Sequence, residues 1–199
     1  MKLVYQIPNK LYYIQNFLDY PSYKQIHYDV FRSKRIKLNS VEGIWDDVLF
    51  RGAAVLPDKA NLIDSYEPLK KFKILLETNP FCPIKEKINQ FMHHSLKDGA
   101  SINWHADAGY EHGITYYINR RWNSKFGGEL LFKDDTANGF IPVVGNSLVI
   151  IKAPFMHKVG TVLKPTVPRK TLQVFTGFSW DHYYKDKIID KLERCSSET

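Results

Sequence analysis

Near Ala100 the texture of the chain changes, and the stretch beyond it can fold in few ways. From about 100 to 180 the sequence breaks into short β-rich runs: Ser101–Trp104, Ile114–Asn119, Glu129–Lys133, Ser147–Lys152 and Lys170–Phe178. Most are bounded by Gly, Pro, Asn or Asp. Short strands separated by turn residues bury their apolar sides by pairing into a sandwich or a barrel. The expected class is therefore mainly β, with helices flanking one outer face.

Those helices come from the first half of the chain. Lys2 to Ile7 alternates as a strand does, and Leu11 to Phe17 suits a second extended segment. Pro21 and Ser22 open a helix in which apolar and aromatic residues recur near helical spacing from Tyr23 to Phe31. Leu69, Phe72 and Leu75 define a second helix over Tyr66 to Leu76, stopped by Asn79 and Pro80. Pro83 is expected to begin a third, with Ile84, Ile88, Phe91 and Met92 as its buried stripe.

At 199 residues and 44% hydrophobic content the chain can bury one good core, and no Gly/Ser-rich or Pro-rich linker divides it. The expectation is a single domain over 1–199. Within it, 1–98 supplies N-terminal strands and supporting helices, and 99–180 forms the β core. The longest apolar runs, such as Asn146 to Ala153, are too short to cross a bilayer, so a soluble, cytoplasmic protein is expected. Cys82 and Cys195 stand in no metal-ligand spacing and read as free thiols. The net charge of +7 is spread along the chain, with one concentration at Arg32, Lys34, Arg35 and Lys37, and reads by default as a solvated basic surface.

The residues that carry chemistry cluster in the β-rich part. His105 and Asp107 are two apart at the end of a strand-like run, so in extended backbone both side chains leave one face and meet one ion. His-x-Asp arises by chance in about one chain in five of this length, so a third ligand is needed to give it meaning. His157, just after the apolar strand Ser147–Lys152, is that ligand if a returning strand brings it back. Two imidazoles and one carboxylate on one side of a metal leave positions open for a cosubstrate and O2, as iron(II) oxygenases require. His93, His94, His112 and His182 have no comparable partner and read as surface or packing histidines.

Twelve residues beyond His157 stands Arg169, whose planar guanidinium suits a dicarboxylate. Lys170 is its rival, and the two point to opposite faces of a strand. Arg169 shares a face with Thr171 and Gln173, whereas Lys170 shares one with Leu172 and Val174, which suit packing beneath the helices. Arg169 is the choice on that ground.

From about Gly99 to Phe178 the sequence resembles the prolyl 4-hydroxylase-like branch of the 2-oxoglutarate and iron(II)-dependent oxygenases. The matching elements occur in order. Gly99, Ile102 and His105-Ala106-Asp107 come first, then Ile114-Thr115-Tyr116-Tyr117-Ile118-Asn119 with Trp122, then Gly127-Gly128-Glu129-Leu130. Gly145 with Leu148 and Val149, His157 with Val159, and finally Arg169 complete the series. The segment Tyr13 to Leu18 followed by a helix is similar to the entry of such domains.

The resemblance implies a double-stranded β-helix, or jelly roll, with N-terminal helices packed on one sheet. His105, Asp107 and His157 would bind iron(II), and Tyr117 would join Arg169 on the distal carboxylate of 2-oxoglutarate. O2 is the second cosubstrate and ascorbate a candidate accessory reductant. The implied reaction hydroxylates an unactivated C–H bond, with peptidyl proline the favoured target and a small molecule the alternative, and needs no protein general base. The tyrosine that some members place about ten residues before the first metal histidine is replaced by Ser95.

Two other readings stand beside this one. Ile102 to Asp107 is also similar to the first motif of the oxidative nucleic-acid demethylases, but Phe175 stands where those enzymes place a second arginine. A non-catalytic β-barrel module keeping a metal as a structural clip is the other. Tyr116 and Trp122 read as core aromatics, and Glu129 as a residue of the pocket rim.

Overall fold

A computed structural model describes residues 1–31, 39–45, 48–54, 66–135, 137–181 and 183, with the strands at 39–45 and 48–54 described by backbone alone. The basic concentration from Arg32 to Lys37, His182 and Cys195 lie outside the described residues. Cys82 is a half-buried free thiol, pushed up to about 11 by burial.

Two antiparallel sheets face each other. The chain opens with β1 (Lys2–Ile7) and β2 (Leu11–Gln15), joined by a tight turn that places Ile7 opposite Leu11. Later come β5 (Ile88–Leu96), β7 (His112–Tyr117), β10 (Ser147–Lys152) and β12 (Arg169–Thr176). These form one six-stranded sheet in the order β1-β2-β10-β7-β12-β5. The smaller sheet runs β6 (Ile102–His105), β11 (His157–Val159), β8 (Leu130–Lys133), β9 (Asn138–Ile141). The hairpin of β3 (Asn39–Trp45) and β4 (Val48–Ala54) lies beside β5 and β6.

The strand period of two divides the large sheet into two unlike faces. Ile114, Tyr116, Leu148, Ile150, Leu172 and Val174 point to a core shared with the helices α1 (Tyr20–Phe31) and α2 (Glu67–Thr78). Tyr23, Ile26, Leu69, Phe72 and Leu76 fill it from the helix side, with Phe72 set against Tyr116 at 5.2 Å between ring centroids. Each such fully buried side chain contributes about 1.5–3 kcal/mol. The opposite face carries Leu11, Tyr13, Val149 and Ile151, and meets Ile102, Leu130, Phe132 and Val159 of the small sheet. This is the jelly-roll arrangement expected from the sequence, mainly β with the helices on one sheet.

Local signals explain the helix limits. Asp19 accepts from the Ser22 amide at 3.0 Å, capping α1. An ion pair with Lys71 of α2, followed by the Ser22 amide, holds the Asp19 carboxyl at about 2. Asn79 ends α2: its amide group donates to the Leu76 and Cys82 carbonyls at 2.9 and 2.7 Å, and its side-chain oxygen accepts from the Cys82 amide at 2.8 Å. Among the described residues no helix is long and apolar enough to cross a membrane.

The third helix does not form. Ile88, Phe91 and Met92 belong instead to β5, which pairs along its whole length with β12, from Leu96 opposite Arg169 to Ile88 opposite Thr176. The apparent helical stripe is a coincidence of spacing, and pairing with β12 overrides it. One consequence concerns Ser95, which lies opposite Lys170, while His94 lies opposite Thr171 on the inter-sheet face. Of these two residues, His94 is therefore the one on the face toward the barrel interior.

Candidate metal centre

β6 and β11 are neighbours in the small sheet, with His105 directly opposite His157. Their rings lie 4.2 Å apart between centroids. Asp107 does not continue the strand as the sequence reading expected. β6 ends at His105, and Asp107 adopts the left-handed conformation at φ 49°, so a turn rather than extended pairing swings its carboxylate beside both rings. Oδ1 lies 3.5 Å from His105 Nε2 and Oδ2 3.4 Å from His157 Nε2. All three residues are buried, and their donor atoms lie within 4.8 Å of one another.

The environment fixes which nitrogens face inward. His105 Nδ1 lies 2.7 Å from the Asn103 carbonyl, and His157 Nδ1 lies 2.8 Å from the Phe155 carbonyl. A carbonyl only accepts, so each Nδ1 carries a proton, and Nε2, turned toward Asp107, is the nitrogen placed to bind a metal. Donors about 2.1 Å from one ion and at right angles to each other lie about 3 Å apart, so this set fits a single metal after small adjustments. Among the described residues it is the one grouping of this kind.

The pocket around the cluster is lined by Ile102, Leu130, Ile151 and Val159 on its apolar side, and by His94, Thr115 and Gln173 on its polar side. Burial pushes His94 down to about 3, with Arg169 and then His105 acting in the same direction, so its imidazole is neutral. Sequence reasoning assigned His94 to the packing or surface histidines. Only the register of β5 against β12 reveals that it enters the site. His93 and His112 are buried packing residues, as expected.

Arg169 is 1% exposed and Tyr117 fully buried, on the inter-sheet face of adjacent strands. The guanidinium carbon stands 5.1 Å from the centre of the Tyr117 ring. Nε donates to the Gly128 carbonyl at 2.7 Å, while Nη2 and the Tyr117 hydroxyl make no well-formed hydrogen bond, although the two groups stand close enough to act on each other. Burial pushes the Tyr117 hydroxyl up and the Arg169 guanidinium down; each opposes the effect on the other, with Glu129 a lesser influence. Buried polar atoms without partners are rare and costly, and a guanidinium N–H beside a hydroxyl is a pair of donors suited to a carboxylate. Lys170 points the other way: Nζ donates to the Val30 carbonyl at 3.0 Å and stands 4.5 Å from the Phe31 ring centre.

Glycines shape both halves of the site. An added Cβ at Gly128, where φ is +76°, would meet Arg169 Cδ at 2.8 Å, and one at Gly113 would meet Asp107 Oδ2 at 2.1 Å. Tyr116 is a buried core aromatic, and Trp122 packs half-buried against the inter-sheet core, donating through Nε1 to the Gly127 carbonyl at 2.9 Å.

No protein-family model matches the sequence, and no curated protein matches it. Solved structures do. The chain is similar to a Pseudomonas putida prolyl-4-hydroxylase, with a TM-score of 0.60 and 18% identity over 85% of this chain and 93% of that one. It is similar to a Trichoplax adhaerens prolyl hydroxylase in complex with a hypoxia inducible factor peptide fragment, with a TM-score of 0.59 and 15% identity over 92% and 87%. A viral collagen prolyl hydroxylase from Paramecium Bursaria Chlorella virus-1, in complex with 2OG, has a TM-score of 0.54 and 14% identity over 83% and 94%. At these identities the shared property is the fold, and the chain has the double-stranded β-helix architecture of these oxygenases.

Proposed function

We propose that this chain is a 2-oxoglutarate and iron(II)-dependent dioxygenase that hydroxylates an unactivated C–H bond, with peptidyl proline as its favoured target. The observation that carries this reading is the coexistence of two unsatisfied sites in one barrel. One is a His-Asp-His cluster with both Nε2 atoms turned inward, and the other is a buried Arg169 Nη2 beside a buried Tyr117 hydroxyl, neither in a well-formed hydrogen bond. A structural metal clip would need the first but has no use for the second.

His105 Nε2, Asp107 and His157 Nε2 would hold the metal from one side, leaving the other open. Arg169 and Tyr117 would receive the distal carboxylate of 2-oxoglutarate in a charge-assisted pair of hydrogen bonds. Iron(II) with 2-oxoglutarate and O2 supplies the oxidative decarboxylation to succinate and CO2 and the oxygen atom transferred to the C–H bond. The chain's own contribution is orientation and a dry pocket, through Ile102, Leu130, Ile151 and Val159.

The substrate side supports an apolar ring. Phe175 lines the pocket and packs on Tyr110 at 5.0 Å; Tyr110 packs on Phe178 at 5.1 Å, and Phe178 on the 63% exposed Trp180 at 5.0 Å. This aromatic path leads from the cluster to the surface and suits a prolyl ring. The peptide bound to the Trichoplax adhaerens hydroxylase is in keeping with it. Phe175 also occupies the place where a nucleic-acid demethylase would carry a second arginine.

Succinate formation by the purified protein with iron(II), ascorbate, 2-oxoglutarate and O2 tests the reading. Wild type is compared with His157→Ala and Arg169→Leu, with and without proline-containing peptides. We expect turnover in wild type alone, stimulated by a peptide. No binding of 2-oxoglutarate and no succinate from metal-loaded wild type would leave the metal-clip reading in its place.

A further inference from the structure

β12 presents Arg169, Thr171 and Gln173 in turn to the barrel interior. The Arg169 guanidinium lies over the Tyr117 ring, and Tyr117 is the cross-strand partner of Thr171. The carboxylate anchor thus sits level with Thr171. Gln173 stands two residues further, about 6.6 Å along the strand, and lines the pocket formed by the three ligands of the cluster. A five-carbon dicarboxylate held at Arg169 spans that interval and brings its keto-acid end beside Gln173.

The Gln173 amide is held ready for a ligand. It is 7% exposed. Its Oε1 accepts from Thr115 Oγ1 at 2.8 Å, and its Nε2 donates to Thr171 Oγ1 at 3.2 Å. These two hydroxyls, from adjacent strands, fix the plane of the amide, and in either sense one of its N–H groups is left over. An amide nitrogen carries two hydrogens. The second meets no acceptor among the described residues, at a place where burial makes an unmade hydrogen bond costly.

We propose that Gln173 is a third protein contact to 2-oxoglutarate, its free N–H donating to an oxygen of the keto-acid end where that end meets the metal. The inference rests on the oxygenase reading. Thr115 and Thr171 are positioning residues for this donor.

The test is calorimetric titration of 2-oxoglutarate into anaerobic manganese(II)-loaded protein, paired with the visible charge-transfer band of the anaerobic iron(II) complex. Gln173→Leu removes the donor at similar size and is expected to weaken 2-oxoglutarate about tenfold, to shift the band, and to leave manganese affinity unchanged. Thr115→Val, which only loosens the amide, is expected to lose less affinity, and Gln173→Glu, which sets a carboxylate against a carboxylate, to lose more. A Leu variant with wild-type affinity and an unmoved band overturns the role of Gln173 while the oxygenase reading stands. Failure of wild type itself to bind 2-oxoglutarate overturns that reading, and this inference with it.

Discussion

Gly113 leaves the space that the Asp107 carboxylate occupies: a Cβ at Gly113 would lie 2.1 Å from Asp107 Oδ2 and 3.1 Å from its Cγ. β7 therefore passes the cluster at the one point where it carries no side chain. Gly113→Ala is expected to displace Asp107 and reduce metal affinity at least tenfold, a loss of the size seen when groups that orient metal ligands are removed. Isothermal titration with manganese(II) measures it, and an unchanged far-ultraviolet circular dichroism spectrum separates it from misfolding.

Among the described residues the Tyr117 hydroxyl makes no well-formed hydrogen bond and has only the Arg169 guanidinium beside it, so Tyr117→Phe removes a buried polar group at little cost to folding. Thermal stability should hold or rise, while affinity for 2-oxoglutarate falls about tenfold. A melting curve and a 2-oxoglutarate titration on one sample check both. Falling stability with unchanged affinity would assign Tyr117 to the core alone.

Gly128 combines a left-handed backbone with contact to the Arg169 stem. Gly128→Ala should strain the turn by about 1 kcal/mol and push the guanidinium out of place. We expect it to abolish tight 2-oxoglutarate binding yet leave metal affinity within about twofold, the reverse of Gly113→Ala. The two variants together separate the halves of the site.

His93 gives a pH dependence with a definite sign. It is 1% exposed on the helix-facing side of β5, neither ring nitrogen has a partner, and burial, then Lys170, push it down to about 3. The unfolded chain takes up this proton near the usual value of 6.5, while the folded chain resists until near 3. Its stabilising contribution is therefore complete above 6.5 and is lost as pH falls toward 3, at about 1.4 kcal/mol per pH unit. His93→Leu should be at least as stable as wild type at pH 7 and lose stability less steeply in urea titrations between pH 6 and 4.

The chemistry of this chain was more legible than its geometry. His105, Asp107, His157, Arg169 and Tyr117 are polar residue types at informative intervals, and the structure brings the first three into one cluster and the last two side by side. The strands of the second half were readable because their apolar residues face one or other core. β5 was not, because a strand lining a polar cavity lacks an apolar alternation: Gln90, Met92 and His94 share a face, as do Phe91, His93 and Ser95. His94 was missed for the same reason, and the approach of Asp107 by a left-handed turn was hidden because an aspartate gives no clear sign of that conformation. Gln173 gave no signal beyond sharing a face with Arg169.

β12 reads as two texts interleaved letter by letter. Arg169, Thr171 and Gln173 spell the side that faces the cavity between the sheets, and Lys170, Leu172 and Val174 spell the floor beneath the helices. Inserting or deleting a single residue here would exchange the two, facing the guanidinium into hydrocarbon and leucine into the cavity. Substitutions can tune this strand position by position, but its length cannot drift by one without losing binding and folding together.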